Sequence, residues 1–386
     1  MVGTVFMTAS HVHTLIMMLS FVGEFPVCSL HLLGSFRSYR DLIRKLTQEQ
    51  EFRIPGFEDR FACRLLTVSG KQKYKTVRFH KSGLPVLEAL NPDAYQYYLE
   101  SFREHSFSGN QNHVDRNHRV AETAVMCLRA GIESRPGIAA DLMSMEVRLL
   151  RVSSPNFYLA RELKQVNDYE LNKIRFTRLV GAIAYPGGAY AVYNNRDQML
   201  NRMGEGERKI RNHLHSIFTP MQSFSYPLRQ AAVMLGNSYD VALDMMEELR
   251  NTQKMDNGLF ATYTNIFFIP MDDFGVRLLR ILTLPNWYER LQQGLFKREV
   301  RSFGKGSFTY DAYQNGIFCL SFLDGDLWRL FRFREAILSR EGNFCVYCFH
   351  EQVDFLRRYL GDRIRLATVS IESVERVFKI KEKCLL

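Results

Sequence analysis

No stretch of this 386-residue chain approaches the roughly 18 consecutive apolar residues of a membrane span. No Lys or Arg precedes Arg37, so the apolar run 15–22 lacks the basic start of a secretory signal, and His11, His13 and Glu24 bracket it. The seven cysteines, Cys28, Cys63, Cys127, Cys319, Cys345, Cys348 and Cys384, are odd in number and form no disulfide framework, so a reducing cytoplasm is the expected setting. A Walker sequence and a G-x-G-x-x-G are both missing, and no Ser, His and acid arrangement for acyl transfer stands out. Gly204-Glu205-Gly206-Glu207 carries two acids that would repel a phosphate, while Gly304-Lys305-Gly306-Ser307 has the charge but the wrong spacing. Acidic residues are absent across 60–83, where Arg60, Arg64, Lys71, Lys73, Lys75, Arg78 and Lys81 all fall.

What is present belongs to a globular protein: 46% hydrophobic and 24% charged residues. The length implies two domains or three. A net charge of +10 favours a polyanionic partner, without choosing between nucleic acid, an anionic surface and a general solubility effect.

The N-terminal pattern predicts three helices and a hairpin over 1–92. Ser10 can cap a helix over 10–22, with Val12, Leu15, Ile16, Leu19 and Val22 on one face and Gly23 and Pro26 as its stop. A short helix over 27–33 closes at Gly34. A third begins near Ser38, with Leu42, Ile43 and Leu46 buried and Arg37, Arg40, Arg44 and Lys45 elsewhere on its surface. Two β-rich runs, 63–68 and 76–80, flank a Gly-Lys tip. That order is the order of a winged helix-turn-helix, in which a short helix lies in the major groove and a basic hairpin reaches phosphates. The competing interpretation is a solvated basic hairpin in a protein-binding winged helix. Residues 93–150 read as a helical bridge, with Arg135-Pro136-Gly137 near its end.

From about Phe176 the pattern becomes α/β. A hairpin turns at Gly187-Gly188, and strands then alternate with helices, the last strand covering 364–371. The expected class is a multidomain α/β protein, with a mixed sheet domain over 151–386.

Three segments, HTLIMMLSFVGEFPVCSLHLLG, TVRFHKSGLPVLEAL and HVDRNHRVAETAVMCLRAGIE, resemble the replication-relaxation family of plasmids and conjugative elements. The resemblance in architecture spans most of the chain. It implies an N-terminal winged helix, an α/β region akin to restriction-endonuclease-like folds, and a role on the DNA of a bacterial mobile element.

A restriction-like nuclease needs two carboxylates on Mg²⁺ and a lysine near the scissile phosphate. The strand around Tyr190 has no carboxylate. Asp197 lies beyond its end, Glu207-Arg208-Lys209 is the nearest Glu-x-Lys, and Glu122 could add a helical acid. The geometry is incomplete, and an inactive nuclease-like scaffold fits better; the acids at 205 and 207 also suit a helix start. His113, His118 and Glu122 are the densest metal-like set, against the plainer pairing of His118 with Glu122 on one helix face. Cys345 and Cys348 fall on opposite faces of a strand, which spoils chelation. Lys297, Arg298, Arg301 and Lys305, against Glu299, form a second basic stretch.

The functions that follow are a DNA-binding protein without catalysis or cofactor, a Mg²⁺-dependent DNA nuclease, and an adaptor for a relaxase or replication initiator. The expected partners are double-stranded DNA and replication or conjugation proteins, with a homodimer allowed and no membrane involved.

Overall fold

The first helix, His11–Val22, stops because Gly23 takes φ +84, a conformation that L side chains rarely adopt. A Cβ there would also meet the Phe102 ring at 2.3 Å. The computed structural model describes residues 4–6, 11–54, 56–57, 60–137, 142, 152–166, 178–198, 204–219, 230–251, 259–302 and 308–380. Ser10, expected as a cap, and the tract Gly304-Lys305-Gly306-Ser307 lie outside them. The chain divides into two α/β units, chiefly 1–147 and 160–383.

In the first unit, strand Glu24–Pro26 follows the first helix, and a six-residue 3-10 turn, Val27–Leu32, stands where a short helix was expected. Helix Phe36–Leu46 starts two residues before Ser38 because Ser35 caps it, accepting from the Ser38 N–H at 3.4 Å. Its buried stripe is Tyr39, Ile43 and Leu46, with Leu42 only half-buried. Strands Leu66–Ser69 and Thr76–Phe79 pair antiparallel, and Glu24–Pro26 joins the second of them, so Thr76–Phe79 is the central strand of three. A second small sheet was not foreseen: Gln50–Arg53 pairs antiparallel with Arg60–Cys63 and parallel with Thr4–Phe6.

The helices assigned to a separate bridge belong to this first unit. Helix Gln111–Arg129 is tied to its sheet by polar bonds: Asn117 donates to Glu24 at 2.8 Å, and His118 Nε2 and Thr76 Oγ1 are 2.6 Å apart. Ser29 donates to Glu122 at 2.6 Å. Buried polar groups are stable only when so bonded, and these bonds fix the helix against the strands.

In the second unit, strands Leu179–Tyr185 and Gly188–Arg196 form the expected hairpin at Gly187-Gly188. Gln230–Gly236 and then Asn265–Pro270 extend it in parallel, with helices Gly204–Phe218 and Tyr239–Asn251 as crossovers. Leu179–Tyr185 is buried throughout, as a sheet covered on both faces requires. A further sheet runs Ala312–Gln314, Ile317–Ser321, Asn343–Phe349, Arg365–Val369, antiparallel at the first pair and parallel after it. The last strand ends at Val369, earlier than expected, because Ser370 caps a helix, Ile371–Phe378, by accepting from Ser373 N–H. Cys345 packs with Phe296, Ala312 and Cys319, a cluster that does not include the buried Cys348.

The turn Asp324-Gly325-Asp326 closes the edge of Asn265–Pro270. Phe268 N–H donates to Gly325 O at 2.9 Å, and the Asp326 carboxylate accepts from Ile266 N–H and from Asn265. Asp326 also caps helix Leu327–Ser339. Beside it, Arg329 is held between Asp311 and Asp324, and all four side chains are buried. Three carboxylates share one guanidinium, so burial outweighs Arg329 and pushes the Asp324 carboxyl up to about 7.

The folded chain therefore keeps a proton on Asp324 that the unfolded chain, titrating at about 4, has released. The stability this proton contributes is complete below about pH 4 and is lost as pH rises through about 7. In thermal unfolding followed from pH 5 to pH 8, Asp324→Asn is expected to flatten the decline of the wild-type midpoint; an unchanged slope would contradict this assignment. Gly325, at φ +70, leaves no room for a Cβ, which would stand 2.7 Å from Phe268 O. Gly325→Ala is expected to cost about 1–3 kcal/mol in denaturant unfolding.

Candidate nucleic-acid interface

Helix Phe36–Leu46 has two unlike sides. Tyr39, Ile43 and Leu46, spaced by four and three, anchor it, and Tyr39 Oη lies 3.4 Å from His11 Nδ1. Arg37, Arg40, Arg44 and Lys45 are all exposed. Asp41 stands among them, 3.8 Å from Arg40 and 3.6 Å from Arg44. Such exposed pairs hold weakly and yield to a competing anion.

The hairpin tip is built around Gly70, at φ +80, where a Cβ would meet Tyr74 O at 2.2 Å. Gln72 is left-handed as well, at φ 49. This tight tip leaves Lys71, Lys73 and Lys75 exposed, with the Lys73 ammonium 5.3 Å from the Tyr74 ring centre.

Helix and hairpin meet at one groove of about 530 Å³. Arg40 and Arg44 enter it from the helix, Arg64, Lys75 and His80 from the hairpin side, and Ile43 and Leu66 are part of its apolar lining. Helix and hairpin thus share one groove, lined by Arg40, Arg44, Arg64 and Lys75. Arg64 and His80 were not singled out from the sequence. The run of basic residues across 60–83 already contained Arg64, but only the fold shows that it faces the helix.

The expected basic residues do not all gather there. Arg37 and Lys45 are exposed on the helix away from the groove lining, and Lys71 borders a different cavity of about 630 Å³ with Glu24 and Phe107. Arg78, also expected as a DNA contact, is half-buried and borders the same cavity as Lys71 rather than the groove. It alternates with buried Val77 and Phe79, donates to Ser69 Oγ at 2.9 Å, and lies 5.2 Å from the Phe107 ring centre. Burial pushes the nearby Glu24 carboxyl up, with the Asn117 bond and the Arg78 charge partly offsetting it.

The candidate catalytic and metal residues are scattered. Glu122 belongs to the first unit, and Asp197, Glu207 and Lys209 to the second. Glu207 is buried and accepts from Tyr193 Oη, which also lies 3.0 Å from Tyr263 Oη. Lys209 is exposed and pairs with Glu205 at 2.9 Å, while Asp197 is exposed and accepts from Asn237 at 2.5 Å. His113 is exposed at its helix start, whereas His118 and Glu122 are buried against Thr76 and Ser29. Among the described residues no group of three or more His, Cys, Asp or Glu could hold a metal ion. In the second basic stretch, Arg301 pairs with Glu289 at 2.7 Å and is nearly covered, Lys297 and Arg298 are exposed, and Lys305 lies outside the described residues.

The two sides of the helix differ in what a truncation removes. Ile43→Ala is expected to cost about 2–4 kcal/mol in urea unfolding and Arg44→Ala less than about 0.5 kcal/mol. Equal losses would contradict the two-sided arrangement. Comparison of the chain with family models, curated proteins and solved structures finds no match.

Proposed function

We propose that the first unit is a winged helix-turn-helix that binds double-stranded DNA, and that the chain acts on a bacterial mobile element, in its replication, transfer or the regulation of either. One observation carries the DNA reading: Arg40 and Arg44 of the helix and Arg64 and Lys75 of the hairpin side line the same groove. Helix Phe36–Leu46 takes the part of the recognition helix and strands Leu66–Ser69 and Thr76–Phe79 that of the wing. Arg37 and Lys45 extend the basic helix surface, and Lys71 and Lys73 at the tip reach phosphates. The resemblance to the replication-relaxation family supports the link to element DNA. The second unit, a hairpin extended by parallel strands, is read as a nuclease-like scaffold. No cleavage step is assigned to it, since Glu207 is engaged with Tyr193 inside while Lys209 pairs with Glu205 outside.

Phosphate contacts release counterions, so binding should fall linearly with salt on logarithmic axes, with a slope of about 0.9 per phosphate neutralised. Reversing Lys71, Lys73 and Lys75 together should weaken binding to every duplex sequence and flatten that slope by about 2 to 3. A mobility-shift titration at several salt concentrations reads both effects; unchanged binding sinks the proposal. Arg78→Ala should instead leave the slope alone and lower stability, because Arg78 is engaged with Ser69 and Phe107.

A further inference from the structure

The second sheet of the second unit carries one row of register partners across its four strands: Ala312, Cys319, Cys345 and Arg365. Directly paired residues of neighbouring strands point to the same face, so two thiols stand side by side and a guanidinium follows on the next strand. Neighbouring strands lie about 4.8 Å apart, within the roughly 4.4–6.8 Å between Cα atoms that a disulfide spans. Cys348 takes no part: three positions along the strand from Cys345, it belongs to the other face.

Both thiols are buried, but shallowly. The residues packed around them, Leu295, Val300, Ile317, Tyr347 and Ala367, are only half-buried. The Gln314 amide lies 3.9 Å from Cys319 Sγ and donates to Tyr347 Oη at 3.2 Å, so the pocket over the sulfurs is not wholly apolar.

A thiol in apolar surroundings is ordinarily inert, because burial disfavours its thiolate. Burial pushes Cys63 up to about 11 and Cys348 up to about 12. Cys345 goes the other way: the hydrogen bond it shares with Cys319 pulls it down and outweighs burial, and the Arg365 charge adds to that pull. The same bond, and then burial, pushes Cys319 up. The row therefore holds one sulfur that gives up its proton and a neighbour that keeps one.

We propose that Cys319 and Cys345 form a modification site, a dithiol that hydrogen peroxide closes to a disulfide, with Cys345 as the attacking sulfur and Cys319 as the resolving one. In the first step the Cys345 sulfur bonds to one peroxide oxygen and the O–O bond breaks. The departing hydroxide takes up the Cys345 proton and leaves as water, and Cys345 becomes a sulfenic acid. The charge that held Cys319 up is then gone. Its sulfur attacks that of Cys345, the S–O bond breaks, and the hydroxyl leaves with the Cys319 proton as a second water. Two thiols thus give two electrons and two protons to one peroxide. The inference does not depend on the first unit's DNA contact.

The test uses the full chain, reduced and then treated with hydrogen peroxide until the exposed Cys28 is oxidised. Remaining thiols are alkylated, and the chain is digested without reductant for mass spectrometry. The expected product is a peptide pair joined through Cys319 and Cys345, lighter by two hydrogens and separated by dithiothreitol. Cys319→Ser should stop at the Cys345 sulfenic acid, which dimedone traps. Cys345→Ser should leave Cys319 as a thiol, and Cys348→Ser should form the link as the wild type does. Recovery of Cys319 and Cys345 as alkylated thiols in the wild-type digest overturns the inference. So does a link through Cys348 instead, or a Cys345 that dimedone leaves unlabelled in Cys319→Ser.

Discussion

The first unit depends on one helix placing polar groups inside a sheet. Gln111–Arg129 brings Asn117, His118 and Glu122 against Glu24, Thr76 and Ser29. Those partners belong to the outer strand, the central strand and the 3-10 turn that leads to helix Phe36–Leu46. Each bond is modest in net terms, but every group except the half-buried Asn117 is buried, so losing a partner leaves a desolvated donor or acceptor behind. The bonds therefore specify where the hairpin stands with respect to the rest of the unit. The groove between helix and hairpin inherits its shape from them.

The polar residues whose role the sequence hides are the ones that hold the unit together. His118 and Glu122 share a helix face and looked like surface partners or metal ligands, because spacing alone says nothing of what lies opposite. Long-range partners, 42 and 93 residues away, decide their role. The elements themselves were legible where they repeat a period. The first helix, the third helix and the hairpin of the first unit follow from 3.6- and 2-residue patterns, and so do most strands of the second. Tyr39 in place of Leu42 on the buried stripe shows the limit: both fit the spacing, and only packing against the first helix chooses the larger ring. The helix Ile371–Phe378 was hidden because its apolar start continues a strand without a break.

The second unit uses the opposite economy of charge. One guanidinium, Arg329, serves three carboxylates at the point where a strand edge, a turn and a helix start converge. Burial beside Arg329 pushes the carboxyls of both Asp324 and Asp326 up, and each raises the other's cost of ionising.

The alternation along Thr76–Phe79 has a consequence for how this protein can vary. Val77 and Phe79 face the core and Arg78 faces the other side, so one residue inserted within that strand would exchange apolar and charged faces. The 70–75 tip carries no such parity. Its length can therefore set the reach of the hairpin, while Lys75 at its end stays in the groove beside the helix.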